Sequence, residues 1–401
     1  MSLDQQQMRN RQQGGLFLLV SLLLIGSNLR APLTSVGPLI PSIREHLDVS
    51  HTVVGSITTL PLIAFALISP FAPKLANKFG LERMIFISML LLVAGIGLRS
   101  VTGIAPLFIG TAIVGIAISF GNVLIPGFIK MSFPFRIGIT TGLYAVCMNI
   151  FGALASGISI PLANIGSFGW QGALAAWSIL AVIAAVLWFP HIEKKKHVAT
   201  FAEEGERKKI NMWKSMTAWQ VTIFMGLQSL MFYTILTWLP EILQVSGYRL
   251  DEAGWMLSLM QFSLIPVTFM MPIIAGKMNN QKWLSVLTGL FFLLGTLGFL
   301  SGQTSLIILS VVLFGIACGS GFSLSMMFFT LRTKDGYEAS ELSGMAQSFG
   351  YLLAACGPVI FGGIHDLTGG WIIPLMFLSG IAFMLLFFGF LAGRDIVIEE
   401  E

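Results

Sequence analysis

GLFLLVSLLLIGSNLRAPLTSVGPLIP, from Gly15 to Pro41, decides the architecture. Its first fifteen residues carry no charge. A helix rises 1.5 Å per residue, so a run of about twenty such residues crosses a hydrocarbon layer roughly 30 Å thick. A polar segment with Arg9 and Arg11 precedes the run, which is too long for a signal-peptide core, so it reads as an uncleaved first span. The consequence is a charged residue, Arg30, about fifteen positions into that span and near the middle of the membrane.

The rest of the chain repeats the pattern. Of its 401 residues 55% are hydrophobic and only 10% charged, against roughly 25% charged in an average soluble domain, which excludes a water-soluble fold. Apolar runs predict helices over about 15–41, 51–72, 84–102, 105–129, 138–163 and 170–190. A second set follows over about 217–243, 252–275, 283–301, 304–331, 342–365 and 370–393. Lys194, Lys195, Lys196, Arg207, Lys208, Lys209 and Lys214 crowd the polar stretch between the sets, so 191–216 reads as a linker.

With the N-terminus placed in the cytoplasm, nineteen of the 23 lysines and arginines fall in cytoplasmic segments. Only Arg44, Arg99 and Arg249 fall outside, and Arg30 alone stays within a span. Both termini are therefore expected in the cytoplasm, at the inner cell membrane. Basic residues spread through short loops explain the +4 net charge through topology and argue against nucleic-acid binding. Cys147, Cys318 and Cys356 all lie in apolar runs and read as small packing residues without a disulfide framework.

The two sets of six are related. Pro41, Gly55, Pro73, Lys78 and Arg83 recur 199 positions later as Pro240, Gly254, Pro272, Lys277 and Lys282. Gly115–Ala117 recurs at an offset of 200, and Trp170 pairs with Trp371 at 201. A nearly constant offset predicts two pseudo-symmetric bundles, 15–190 and 217–393. Six spans per half keep both repeats in the same orientation.

PKLANKFGLER, Pro73 to Arg83, resembles the signature loop between the second and third helices of the major facilitator superfamily, keeping Leu75, Phe79, Gly80 and Arg83. It has Pro73 for the usual first glycine and Asn77 for the usual aspartate, so that aspartate's role does not carry over. NLRAPLTSVGPLIP (Asn28–Pro41), GNVLIPGFIK (Gly121–Lys130), AWQVTIFMGLQSL (Ala218–Leu230) and SGMAQSFGYLLAACGP (Ser343–Pro358) are similar to that superfamily's cyanate and nitroimidazole transporter group. The resemblance covers essentially the whole chain. It implies an all-α membrane protein of twelve transmembrane helices with the major facilitator fold, two parallel six-helix bundles, and transport of a small solute.

Arg30 is the sharpest candidate for the solute site, because an arginine at the centre of a span costs roughly 2.5 to 3.5 kcal/mol on insertion scales and is retained where it has a use. All nineteen acidic residues fall in loops, tails or helix ends, with Glu241 and Asp366 as the nearest candidates for a partner. A planar guanidinium suits small oxyanions, carboxylates and nitro groups. Read as one continuous helix, Ser27, Arg30, Thr34 and Gly37 share a face, whereas Asn28 points elsewhere and reads equally as a packing residue. Asn122, Asn149, Gln228 and Gln261 sit at comparable depth, each able to donate to a solute or to bond a neighbouring helix. Asn149 shares its face with Ala145, Gly152 and Ser156, which favours helix packing. Gln347 and Tyr351, with Tyr144, are expected to close the cytoplasmic side of a cavity, and Phe232 is an aromatic candidate.

Two classes are excluded by what the chain lacks. His46, His51, His191, His197 and His365 form no ligand or triad pattern, and no glycine-rich loop followed by lysine marks a nucleotide site. The expectation is a transporter without cofactor or metal, working as a monomer in lipid by alternating access, its partners a small anionic or nitro-bearing solute and, in one of several coupling schemes, protons. The competing reading is a drug or multidrug efflux carrier. Carriers of cationic drugs need an acid within the membrane, and the charge buried in the first span has the opposite sign.

Overall fold

The computed structural model describes residues 3–48, 51–192, 211–248 and 250–398. Within the described residues twelve helices are long and apolar enough to cross a membrane, and no strand occurs. The all-α, twelve-span architecture expected from the apolar runs is present. Most of the 191–216 linker lies outside the described residues. The fold separates into two compact units. One comprises Met1–Ile68, Ala72–Leu124 and Leu143–Arg207, and the other Ser69–Phe71, Ile125–Gly142 and Lys208–Glu401.

In the first unit the chain runs through α1 (Leu3–Asn28), α2 (Ala31–Thr34), a 3-10 turn at Gly37–Leu39, α3 (Ile40–Leu47) and α4 (His51–Ile68). It continues through α5 (Ala72–Phe79), α6 (Leu81–Arg99), α7 (Ile104–Ser132), α8 (Ile137–Ala163), α9 (Gly169–Ala175) and α10 (Trp177–Trp188), with the junction of α7 and α8 belonging to the second unit. Two expectations are corrected here. The first span is not one continuous helix but breaks at Leu29 and Arg30. The stretch Pro73–Arg83, expected as a loop, is helical to Phe79. Ala72, Pro73 and Ala76 face inward while Lys74, Asn77 and Lys78 face out, so its polar residues mark an amphipathic helix and not a loop. Gly80, at φ 96° and ψ 140°, makes the turn into α6 in a region that a side chain would strain.

Polar side chains tie this unit together through backbone carbonyls, because no water is available in a membrane to serve them. Trp188 donates Nε1–H to Glu82 O at 3.0 Å, and Ser21 donates to Leu187 O at 3.2 Å. Asn28, wholly buried, donates Nδ2–H to Leu24 O at 2.8 Å and Leu180 O at 3.2 Å, which makes it a packing residue between α1 and α10. Val36, Leu39 and Ile43 pack with Ile57, Leu107, Trp170, Ala173 and Leu174 into one apolar cluster at the end of the first span.

The second unit contains the α7–α8 junction and α11 (Met216–Val245), α12 (Leu250–Ala275), α13 (Lys282–Leu300), α14 (Thr304–Leu331), α15 (Gly336–Thr368) and α16 (Ile372–Ala392). Helices α11 and α15 pack backbone to backbone: a Cβ on Gly226 would stand 3.2 Å from Gly350 Cα. Helix α15 starts at Gly336, ahead of the expected 342. Asp335 caps it by accepting from Glu338 N at 2.9 Å, and Glu338 reaches back to Lys334 N at 2.6 Å. The hydropathy of that turn is low, but its capping chemistry is that of a helix start.

Arg332, the residue after α14, is 1% exposed. It donates from Nε to Ala392 O at 3.0 Å and from Nη2 to Gln281 Oε1, and lies over the Phe328 ring at 5.2 Å. Burial pushes its pKa down to about 10 against the opposing pull of Asp395, so it stays charged at neutral pH. Lys130 likewise donates Nζ–H to the carbonyls of Thr330 and Thr333 at the C-terminal end of α14, where a helix's partial negative charge favours a cation.

Candidate functional site

Pro32 has no N–H to give Asn28 O, and its ring would collide with that carbonyl in a continuous helix. The chain answers with a break. Leu29 N bonds Gly26 O at 3.0 Å, Arg30 takes φ −124° and ψ −39°, and the helix restarts with Leu33 N and Thr34 N both on Arg30 O, at 3.0 and 3.1 Å. Arg30 therefore stands at the head of a fresh turn, beyond the end of the α1 ladder.

That side chain runs along α8. Its methylenes lie against Gly152, where an added Cβ would stand 3.0 Å from Arg30 Cγ. Its Nη1–H donates to Asn149 Oδ1 at 2.6 Å, and Asn149 in turn donates Nδ2–H to Ala145 O at 2.9 Å. Thr34 donates to Gly152 O at 2.8 Å, while Ser156 donates back to Thr34 O at 3.2 Å. Positions 145, 149, 152 and 156 follow the three-and-four spacing of one α8 face, so the whole turn is bonded along a single stripe. Arg30 remains half-buried, whereas Asn149 is buried.

The single polar face expected for Ser27, Arg30, Thr34 and Gly37 is corrected by the same break, since the spacing argument needs a helix that Pro32 interrupts. Ser27 is 1% exposed and donates to Leu23 O at 3.0 Å within α1, and Gly37 is exposed in the 3-10 turn. Arg30, Thr34 and Asn149 are brought together; Ser27 is not among them. Tyr144 lies deeply buried against Gly26, with its hydroxyl unbonded. Asn122 is buried in α7 of the same unit.

The remaining candidates belong to the second unit. Gln228 is 2% exposed on α11, donates Nε2–H to Ser229 Oγ at 2.7 Å and packs against Gly321. Phe232 stands edge-on to Tyr233 with ring centroids 5.1 Å apart. On α15, Gln347 is fully buried and donates Nε2–H to Ser343 Oγ at 2.8 Å, and Tyr351 is buried one turn further along. Gln261 is half-buried on α12.

Arg99 is a buried charge in the first unit that the sequence does not single out. Arg99, expected at the outer end of the third span, is 0% exposed and donates Nη1–H to Pro32 O at 2.8 Å. The signal was present in the chain beyond it: Val101, Ile104, Ala105 and Leu107 resume apolar character at once, so Arg99 has little polar loop to occupy. Glu82, in the first turn of α6, is also buried.

What this arrangement can do is present the planar N–H groups of a half-buried arginine to an acceptor on a small solute. Comparison with known proteins bears on the family. The Major Facilitator Superfamily profile matches residues 16–358. The chain is 41% identical over 387 residues to the uncharacterized transporter YycB of Bacillus subtilis, covering 96% of each. It is 39% identical over 378 residues to the 2-nitroimidazole transporter of Escherichia coli, covering 94% of this chain and 95% of that one. The cyanate transport protein CynX of Escherichia coli is 26% identical over 361 residues, covering 90% and 93%. The solved proton:xylose symporter XylE superposes with a TM-score of 0.79 at 13% identity, over 96% of this chain and 98% of that one. With whole-length matches of this kind on a twelve-helix membrane architecture, the chain belongs to the major facilitator superfamily, in its cyanate and nitroimidazole transporter family, and is a secondary transporter rather than an enzyme.

Proposed function

We propose that this transporter moves a small nitro-heterocyclic or anionic solute, of the nitroimidazole or cyanate kind, across the cytoplasmic membrane by alternating access. Arg30 is the principal donor to the solute in this reading. The observation that carries it is the placement of Arg30 at a proline-made break in the first span, aimed along α8 and oriented by Asn149. The amide of Asn149 fixes the direction of the guanidinium. Thr34 supports the same turn, and Asn122, Tyr144, Gln228, Phe232, Gln261, Gln347 and Tyr351 complete the set of proposed solute-facing or cavity-closing groups. Ser27 belongs to the set only as support, since its hydroxyl is spent on Leu23 O.

Residues 15–190 and 217–393 act as the two rocking bundles in this reading, joined by the 191–216 linker, and the working unit is a monomer. The excess of lysine and arginine in alternate loops supports cytoplasmic termini. Identity of 39% with a 2-nitroimidazole transporter supports the solute class. Proteoliposomes holding the purified protein should accumulate 2-nitroimidazole above protein-free vesicles, and Arg30→Ala should abolish that accumulation while leaving the thermal unfolding profile of the free protein intact. Unchanged accumulation by Arg30→Ala overturns the role given to Arg30.

A further inference from the structure

Helix α6 ends in a guanidinium that water does not reach. Arg99 is wholly buried, and of its donors only Nη1 is used, on Pro32 O at 2.8 Å; Nε and Nη2 have no hydrogen-bond partner. Burying an ionised group with donors unsatisfied is costly, and an arginine does not escape the cost by shedding its proton. No described carboxylate forms an ion pair with it. The single bond it does make is therefore the informative one.

Pro32 lies within the four-residue turn Ala31–Thr34 that follows the break. In an unbroken helix Pro32 O would receive the N–H of Val36, but Val36 N turns instead to Leu33 O at 3.5 Å. The carbonyl is thus released inside a membrane span, where a spare acceptor must find a donor. Ser35 Oγ supplies one at 3.2 Å and Arg99 Nη1 the other. The same turn carries Arg30 at its head and Thr34 at its end, and Thr34 is held from the α8 side by Gly152 O. Arg99 holds it from the α6 side. Arg99 is itself seated without slack: a Cβ on Gly110 would stand 2.3 Å from Arg99 N, so α7 presses directly on its backbone.

We propose that Arg99 is a positioning residue of the solute site, which by binding the released Pro32 carbonyl fixes the turn on which Arg30 stands. This role rests on the assignment of Arg30 to that site. It is separable from it, because the turn can be watched without solute. Backbone amide exchange of residues 31–36 in the solute-free protein reports whether the turn is held. Uptake of 2-nitroimidazole, resolved into KM and kcat, reports whether holding it matters.

Arg99→Met should raise exchange across 31–36 about tenfold and raise KM about tenfold with kcat less affected, because one charge-assisted hydrogen bond is lost. Arg99→Gln keeps a donor without the charge and should retain protection and KM within about twofold of the wild type. Unchanged exchange in Arg99→Met overturns the proposal, as does raised exchange with an unchanged KM. Where Arg99→Met yields no folded protein, Arg99→Gln carries the test: retained protection supports the hydrogen-bond role, and about tenfold loss overturns it in favour of charge. If Arg30→Ala leaves uptake unchanged, the solute-site assignment fails by itself, and the exchange of 31–36 in Arg99→Met still reports what Arg99 holds.

Discussion

Arg30 and Asn149 lie 119 positions apart in the chain, and Arg30 Nη1 meets Asn149 Oδ1 at 2.6 Å. The bond joins the proline-made break of the first span to the middle of α8. It leaves one amide hydrogen spent on Ala145 O, so the amide is held from its nitrogen side while its Oδ1 accepts from the guanidinium. A fixed acceptor of this kind sets the plane of the guanidinium.

Arg30→Lys keeps the charge but loses the planar fork. An ammonium cannot present two parallel donors to a nitro group or carboxylate, so uptake of 2-nitroimidazole should fall at least about tenfold. Vesicle uptake at matched protein density measures this. Wild-type rates in Arg30→Lys would show that charge alone suffices.

Asn149→Asp puts a carboxylate where the amide oxygen now accepts. The pair becomes a salt bridge held away from water, and the solute must then compete with a permanent anion. Uptake should drop about tenfold or more while expression and folding persist. Titration of solute binding by calorimetry is the check, and affinity equal to the wild type would contradict the arrangement.

Gly152→Ala and Gly157→Ala form a matched pair on α8. At Gly152 the new methyl meets Arg30 Cγ at 3.0 Å, whereas at Gly157 nothing lies within 4 Å. The first should displace the arginine and raise KM several-fold, and the second should be silent. Equal kinetics for the two would mean that Arg30 does not lie where it matters.

Arg332→Met tests anchoring in the second unit. It removes the donors to Ala392 O and Gln281 Oε1 while replacing much of the stem's volume. Loss of charge-assisted bonds should cost about 1.5 to 3 kcal/mol, seen as a lower midpoint in thermal unfolding. Solute affinity below that midpoint should be unchanged. A stable variant with weakened binding would reverse the assignment.

Much of the fold was legible because a membrane reads average hydropathy over about twenty residues, and that average survives local detail. The twelve runs needed no knowledge of contacts. Boundaries went astray where polarity and helicity part company. Pro73–Phe79 is polar on one side and helical throughout, and the turn after Asp335 is charged yet capped. At the candidate site, Arg30 was conspicuous as a charge deep in an apolar run. The face it shares was not, since a single proline two residues on invalidates the spacing that a continuous helix would impose. Arg99 was passed over because an arginine at the end of an apolar run ordinarily reaches water by extending its side chain.

By itself the amino-acid sequence determined the solvent, the number of spans, the likeness between the two sets of six and the presence of a charge in the first span. These are properties of composition and period, which each segment carries alone. Only the tertiary structure decided that Arg30 turns to Asn149, that Thr34 and Ser156 staple the same turn, and that Arg99 is sealed against Pro32 O. Hydrogen bonds in a membrane go to whichever carbonyl or amide the packing of another helix brings within about 3 Å, and the one-dimensional chain does not carry that distance.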